Sequence, residues 1–110
     1  MANILLAVTG SISAYKAADI TSQLTKLGHQ LKVIMTPAAT AFITPLTLQV
    51  LSKNPVGLDV MIEEDPQRIE HIDIGKETDL FLVAPASANT IAKLAMGLAD
   101  NMVTSTALAL

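Results

Sequence analysis

The stretch NILLAVTGSIS, residues 3–13, decides the fold of this chain. Residues 3–8 form an almost unbroken apolar run, typical of a strand buried on both faces of a parallel sheet. A Gly- and Ser-containing loop ends this run, and an amphipathic helix is predicted from there to about Leu27, the last residue of its apolar stripe. A second apolar run over residues 31–35 completes a predicted strand–helix–strand unit.

The alternation of strands and helices continues after this unit. We predict helical structure over residues 38–52, interrupted near Pro45, with Thr44 as the cap of the second part. The later elements are predicted in this order: a turn over residues 54–57, a strand over 58–62, an exposed polar stretch over 63–70, a buried strand over 79–84, a helix over 87–96 with Gly97 just past its end, and a last apolar segment capped by Asp100 or Asn101.

These elements predict an α/β fold, a doubly wound parallel sheet of Rossmann-like or flavodoxin-like type with three α/β/α layers. About four strands can be placed, whereas such sheets usually have about five or six. We therefore expect residues 1–110 to form a single domain that is incomplete at its C-terminal end.

Composition narrows the classes of partner and compartment. Charged residues make up 15% of the chain, against about 25% in typical domains, which predicts burial of part of the surface against other subunits or further chain. The net charge of −3 and the scattered basic residues argue against nucleic-acid binding. No apolar run approaches the roughly 20 residues of a membrane span. The absence of cysteine and of a signal-peptide pattern favours a cytoplasmic protein.

The first loop has the pattern of a phosphate site. Amide groups at a helix start favour an anion, Gly10 permits close backbone approach, and Ser11 and Ser13 add hydroxyls. The dinucleotide fingerprint is absent, and Thr36 stands near the position where a dinucleotide-binding fold would carry an acidic residue. This favours a mononucleotide over NAD. The alternative is a tight turn in which the serines only cap the helix.

Two further places carry candidate functional groups. Ser87, Asn89 and Thr90 follow a predicted buried strand, so they would face the same crevice as Gly10. The alternative is that Ser87 caps the helix while the other two are only solvated. His71 can act as an acid or base near neutral pH, although a purely structural histidine is also compatible with its position.

Five segments in this order and spacing resemble the flavin-dependent cysteine decarboxylases, and most of all the phosphopantothenoylcysteine decarboxylases of coenzyme A synthesis. The segments are VTGSISAYK over residues 8–16, MTPAA over 35–39 with Phe42, HID over 71–73, APASANTIAK over 84–93 and GLADN over 97–101. The resemblance extends over essentially the entire chain.

The resemblance implies an FMN cofactor bound between the subunits of a homotrimer, sometimes assembled into a dodecamer. It implies a carbon–carbon lyase (carboxy-lyase) that converts 4'-phosphopantothenoylcysteine to 4'-phosphopantetheine, with His71 as the catalytic residue. The FMN-binding positions that it implies are Gly10, Ser11, Ile12, Thr36, Phe42, Ser87, Ala88, Asn89 and Thr90.

Two features of that family are absent from these 110 residues, the substrate-binding Pro-Ala-Met-Asn motif and a cysteine that protonates the product. Four alternatives stay open. They are a flavin prenyltransferase, a peptidyl-cysteine decarboxylase, a non-catalytic flavin-binding regulatory subunit and a generic α/β nucleotide-binding module.

Overall fold

A computed structural model describes residues 2–58 and 78–109 of the chain. The described strands form one parallel sheet in the order β3-β2-β1-β4. The strands are β1 (Asn3–Val8), β2 (Gln30–Met35), β3 (Val56–Gly57) and β4 (Leu80–Val83). The helices are α1 (Lys16–Lys26), α2 (Pro45–Ser52), α3 (Ala88–Met96) and α4 (Met102–Ala109), with short 3-10 helices at Ile12–Tyr15 and Pro37–Ala41.

β1 lies between β2 and β4 and brings the loops of the site together. Val8, its last residue, lies opposite Met35 of β2, and Ala7 lies opposite Val83 of β4. The three strands are parallel and end level with one another, so the segments that follow them emerge at the same edge of the sheet. This register predicts a crevice at their carboxyl ends.

Both faces of the sheet are covered, as the unbroken apolar run of β1 predicted. On one face, Leu6 packs in a cluster with Ala17 of α1 and Leu48 of α2. On the other face, Leu5 packs in a cluster with Met102 of α4. The predicted three-layer, doubly wound α/β arrangement is therefore confirmed.

Several predicted helix ends are also confirmed. Thr44 Oγ1 accepts a hydrogen bond from the Thr47 N–H at 3.3 Å at the start of α2. Gly97 ends α3 in the left-handed conformation, with φ of 72°. Asn101, one of two predicted caps, starts α4, because its Oδ1 accepts from the Thr104 N–H at 2.9 Å.

Three sequence predictions need correction. Residues 54–57 were predicted as a turn, but Val56 and Gly57 form β3, because their backbone pairs with Val33 and Ile34. Leu27 was assigned to the buried stripe of α1, but it follows the last helical residue and is 72% exposed. The strand predicted over residues 79–84 is shorter and only half-buried, because β4 is the edge of the described sheet.

Some predictions fall outside the described residues. They concern most of the strand over 58–62, the polar stretch over 63–70 and the histidine at position 71. Of the predicted strand, Leu58 is described and has no strand conformation. In residues 2–58 and 78–109, no helix has both the length and the apolar character that crossing a membrane requires.

Candidate functional site

Gly10, directly after β1, is packed against the segment that follows β2. A Cβ atom built on Gly10 would stand 2.6 Å from the Ala38 Cβ and 3.2 Å from the Ala38 backbone carbonyl carbon. Carbon atoms normally approach to about 3.5–4.0 Å, so a larger side chain would force the two segments apart. The structure thus gives Gly10 a packing role, which the sequence did not indicate.

The first two strand-end loops continue into short 3-10 helices with hydroxyl caps. Ser11 Oγ accepts a hydrogen bond from the Ser13 N–H at 3.2 Å. Thr36 Oγ1 accepts from the Ala39 N–H at 3.3 Å, and Thr36 is buried. The Thr36 cap begins the helical turn that places Ala38 against Gly10 of the first loop. Ser11 acts as a cap as well, which is the alternative that the sequence left open for the serines of this loop.

The third loop leads from β4 to the N-terminus of α3. Ser87 caps this helix, because its Oγ accepts from the Thr90 N–H at 3.2 Å and lies 3.0 Å from Thr90 Oγ1. Thr90 is buried, whereas Asn89 is exposed. The capping role of Ser87 is confirmed, and it leaves the amide of Asn89 at the surface of the loop.

Thr9 joins the first loop to the third. Its hydroxyl donates to the Pro85 carbonyl oxygen and accepts from the Ser87 N–H at 2.7 Å. The Thr9 N–H also donates to the Pro85 carbonyl oxygen, at 3.3 Å. Thr9 is fully buried. Sequence reasoning gave this residue no role, because its partners lie 76 and 78 positions further along the chain.

The three loops surround one open cleft of about 250 Å³. Its lining residues are Gly10, Thr36, Pro37, Ala38, Ser87, Asn89, Thr90, Lys93, Asp100 and Asn101. Five of the positions predicted from the sequence are therefore brought together, namely Gly10, Thr36, Ser87, Asn89 and Thr90.

The other predicted positions do not line this cleft. Ser11 is half-buried beside it in the chain, and Ala88 is exposed at the start of α3. Ile12 and Phe42 present large apolar side chains to solvent, 80% and 50% exposed respectively. His71 lies outside the described residues.

Lys93 and Asp100 form an ion pair in the cleft wall that sequence reasoning did not assign. Lys93 Nζ lies 3.1 and 3.0 Å from the two carboxylate oxygens of Asp100. The pair ties α3 to the segment that leads into α4, where Asn101 also lines the cleft. Both charged residues belong to segments that carry the family resemblance. The sequence signal for this ion pair is two opposite charges seven positions apart, on either side of Gly97.

The charges and donors of the cleft suit binding rather than proton transfer. Lys93 and Asp100 are the charged residues of its lining, and they are paired with each other. The hydroxyls, the Asn89 amide and the backbone groups can orient a polar ligand. No cluster of three or more metal-binding side chains occurs in the part of the chain that the structure describes. The described lining therefore offers hydrogen-bond donors and acceptors together with one ion pair.

Known proteins match the chain over nearly its full length. A family model described as Flavoprotein matches residues 1–110. A probable phosphopantothenoylcysteine decarboxylase of Streptococcus mutans serotype c is 69% identical over 107 residues, which are 97% of this chain and 60% of that protein. The coenzyme A biosynthesis bifunctional protein CoaBC of Bacillus subtilis is 50% identical, over 97% of this chain and 26% of that protein.

A solved structure shows the same fold. The FMN-dependent cysteine decarboxylase TvaF from thioviridamide biosynthesis has a TM-score of 0.90 and is 31% identical, covering 99% of this chain and 67% of that one. The chain thus spans 60% and 26% of the length of the two curated relatives.

Proposed function

Because the chain belongs to the flavoprotein family, we propose that its cleft binds FMN as part of a phosphopantothenoylcysteine decarboxylase. The reaction is the loss of CO₂ from 4'-phosphopantothenoylcysteine, which gives 4'-phosphopantetheine for coenzyme A biosynthesis. The observation that carries this proposal is the convergence of Gly10, Thr36 and Ser87 on one cleft. Ligands of doubly wound sheets bind at this edge, outside the carboxyl ends of the strands.

The donor set of the cleft fits a flavin mononucleotide. The N-terminus of α3 reaches the cleft through Ser87 and Thr90, and helix N-termini favour anionic groups such as a phosphate. Asn89 and the hydroxyls can pair with the donors and acceptors on the edge of a flavin ring. Beside Gly10, the side chain of Ala38 is only a methyl group, so little bulk stands in the cleft at that point.

The FMN assignment extends to four positions outside the cleft lining. Ser11 and Ala88 directly adjoin lining residues in the chain. The apolar side chains of Ile12 and Phe42 are exposed and available for contact with an aromatic ring system. The assignment predicts that these two side chains lose solvent exposure when the flavin binds.

We assign the flavin site to an interface between copies of this chain, in a homotrimer or a dodecamer built from trimers. The cleft of about 250 Å³ is smaller than typical ligand pockets, which measure about 300–1,000 Å³. Large apolar side chains are exposed on α3 and just past its end, at Ile91, Met96 and Leu98. Exposed apolar surface can mark an interaction site, and a second copy seated there would bury these side chains.

His71 supplies the acid–base group in this proposal. When bound, FMN would supply reversible redox chemistry at the thiol side of the substrate, and with it the electron sink that loss of CO₂ needs. An imidazole can bind the substrate carboxylate or take a proton near neutral pH. The assignment is supported by the cleft lining, whose charged groups, Lys93 and Asp100, neutralise each other.

The substrate is assigned from the strength of the relationships. The Streptococcus mutans relative, a probable phosphopantothenoylcysteine decarboxylase, shares 69% of residues with this chain. TvaF, a cysteine decarboxylase of a different biosynthesis, shares 31%. A solved peptidyl-cysteine decarboxylase shares 28% of residues, so a cysteine at the end of a peptide is the second candidate substrate. We propose that the protein is located in the cytoplasm, because a chain without cysteine forms no disulfide bonds and so needs no oxidising compartment.

Two measurements test these assignments in order. The protein is incubated with FMN and desalted, and the visible absorption spectrum is recorded. A flavin band retained at about one FMN per chain is expected. Release of CO₂ is then measured from 4'-phosphopantothenoylcysteine and from a peptide that ends in cysteine. No retained flavin would contradict the cofactor assignment, and retained flavin with turnover of the peptide alone would contradict the substrate assignment.

A further inference from the structure

Thr9 is the residue that connects two walls of the cleft without lining it. Its hydroxyl hydrogen donates to the Pro85 carbonyl oxygen, and its hydroxyl oxygen accepts from the Ser87 N–H at 2.7 Å. Pro85 and Ser87 lie 76 and 78 positions further along the chain. The side chain is fully buried and is absent from the cleft lining.

The two bonds use both capacities of a hydroxyl group. A hydroxyl can donate one hydrogen bond and accept others at the same time, so one atom fixes a carbonyl and an N–H of the same loop. Ser87 in turn caps α3 and stands beside Thr90 in the cleft wall. Thr9 directly precedes Gly10, which is held against Ala38. Its hydroxyl therefore sets the position of the third loop relative to the other two.

We propose that Thr9 is a positioning residue of the cofactor site, which holds the Ser87–Thr90 wall at the distance from Gly10 that FMN requires. The inference rests on the proposed function for the identity of the ligand. The bonds themselves belong to the protein alone. Thr9 acts through Ser87 and does not touch the flavin.

Two variants separate the hydroxyl from the methyl group of Thr9. Thr9→Val keeps the shape and removes both hydroxyl bonds, so the Ser87 N–H loses its acceptor. Thr9→Ser keeps both bonds and removes a buried methyl group. We expect Thr9→Val to raise the Kd for FMN at least about 10-fold, the factor that corresponds to one lost buried hydrogen bond. Thr9→Ser is expected to keep the Kd within about 3-fold of the original value, a free-energy change below that of one such bond.

Thr21→Val is the matched control. Thr21 of α1 is also fully buried, and its hydroxyl has no hydrogen-bond partner among the described residues. Its replacement makes the same chemical change in another part of the molecule, so the Kd for FMN is expected to stay unchanged. Flavin fluorescence quenching measures the Kd of each variant, at a temperature well below that of its unfolding transition.

Amide hydrogen exchange tests the link without any ligand. In the protein free of flavin, Thr9→Val is expected to accelerate exchange of the Ser87 amide at least about 10-fold. Exchange of the Leu6 amide, in the core of β1, is expected to accelerate less. A general loss of stability would accelerate both amides, whereas Thr9→Ser is expected to leave Ser87 protected.

An unchanged Ser87 exchange rate in Thr9→Val would overturn the proposal. An affinity of Thr9→Val for FMN equal to that of the unmodified protein would also overturn it. So would an affinity of Thr9→Ser as weak as that of Thr9→Val. If the unmodified protein retains no FMN, the cofactor assignment has failed, and the exchange measurement alone decides whether Thr9 holds the loop.

Discussion

Replacing Gly10 with alanine tests the close approach between the first and second loops. The new Cβ would lie 2.6 Å from the Ala38 Cβ, so the two segments must separate by about 1 Å to reach an ordinary carbon–carbon distance. Overpacking of this kind typically costs about 1–3 kcal/mol. We expect the free energy of unfolding to fall within this range. FMN binding should weaken as well, because both segments line the cleft.

Removing the methyl group of Ala38 should relieve the clash that Gly10→Ala creates. In the double variant Gly10→Ala, Ala38→Gly the 2.6 Å contact is gone, and the next contacts are backbone atoms of residue 38 at 3.2 and 3.5 Å. Ala38→Gly alone is expected to cost about 0.5–1 kcal/mol from added backbone freedom. Urea unfolding followed by circular dichroism gives the four free energies. A coupling of at least about 1 kcal/mol between the two positions is expected.

Additive effects of the two substitutions would refute this reasoning, and so would a Gly10→Ala variant as stable as the original protein. Either result would mean that the approach of Gly10 to Ala38 is not tight. The FMN measurement then separates the two roles of Gly10. A variant that is stable but binds no flavin would place the need for glycine at the ligand instead of at Ala38.

Further predictions concern the catalytic assignment, the ion pair and a helix cap. His71→Asn should retain FMN and abolish CO₂ release, and near-normal turnover would contradict the role of His71. Asp100→Asn should lower the free energy of unfolding by less than about 1 kcal/mol, because partly exposed ion pairs contribute little, and the loss should be smaller still at high salt. A larger loss that salt does not change would mean that Asp100 has another role. Asn101→Ala should cost about 1 kcal/mol in urea unfolding, because it removes the cap of α4, and unchanged stability would show that water replaces the cap.

Local patterns predicted the parts of the fold that local physics controls. The apolar run of β1, the cap at Thr44 and the terminal Gly97 each depend on near neighbours in the chain, and all three are confirmed. The pairing of Val56 and Gly57 with β2 depends on distant residues. No pattern within residues 54–57 could show it, and the segment reads as a turn.

The candidate site divides in the same way. Gly10, Thr36 and Ser87 were predicted because each follows a recognisable strand, and all three line the cleft. Thr9 and Ala38 were missed because their importance lies in contacts with loops that are distant in the chain. Lys93 was missed because a single basic residue on a helix is commonly solvated, and its partner Asp100 lies beyond the end of that helix.

The link between Thr9 and Ser87 has a consequence for the order in which the protein matures. The cleft forms only when a strand and a loop that lie 76 to 78 positions further along the chain have docked beside β1, and such high-contact-order pairings form late and slowly. During synthesis the first two loops therefore emerge before the third. Flavin binding at this cleft requires that β4 has docked beside β1, so bound flavin would report that this step of folding has taken place.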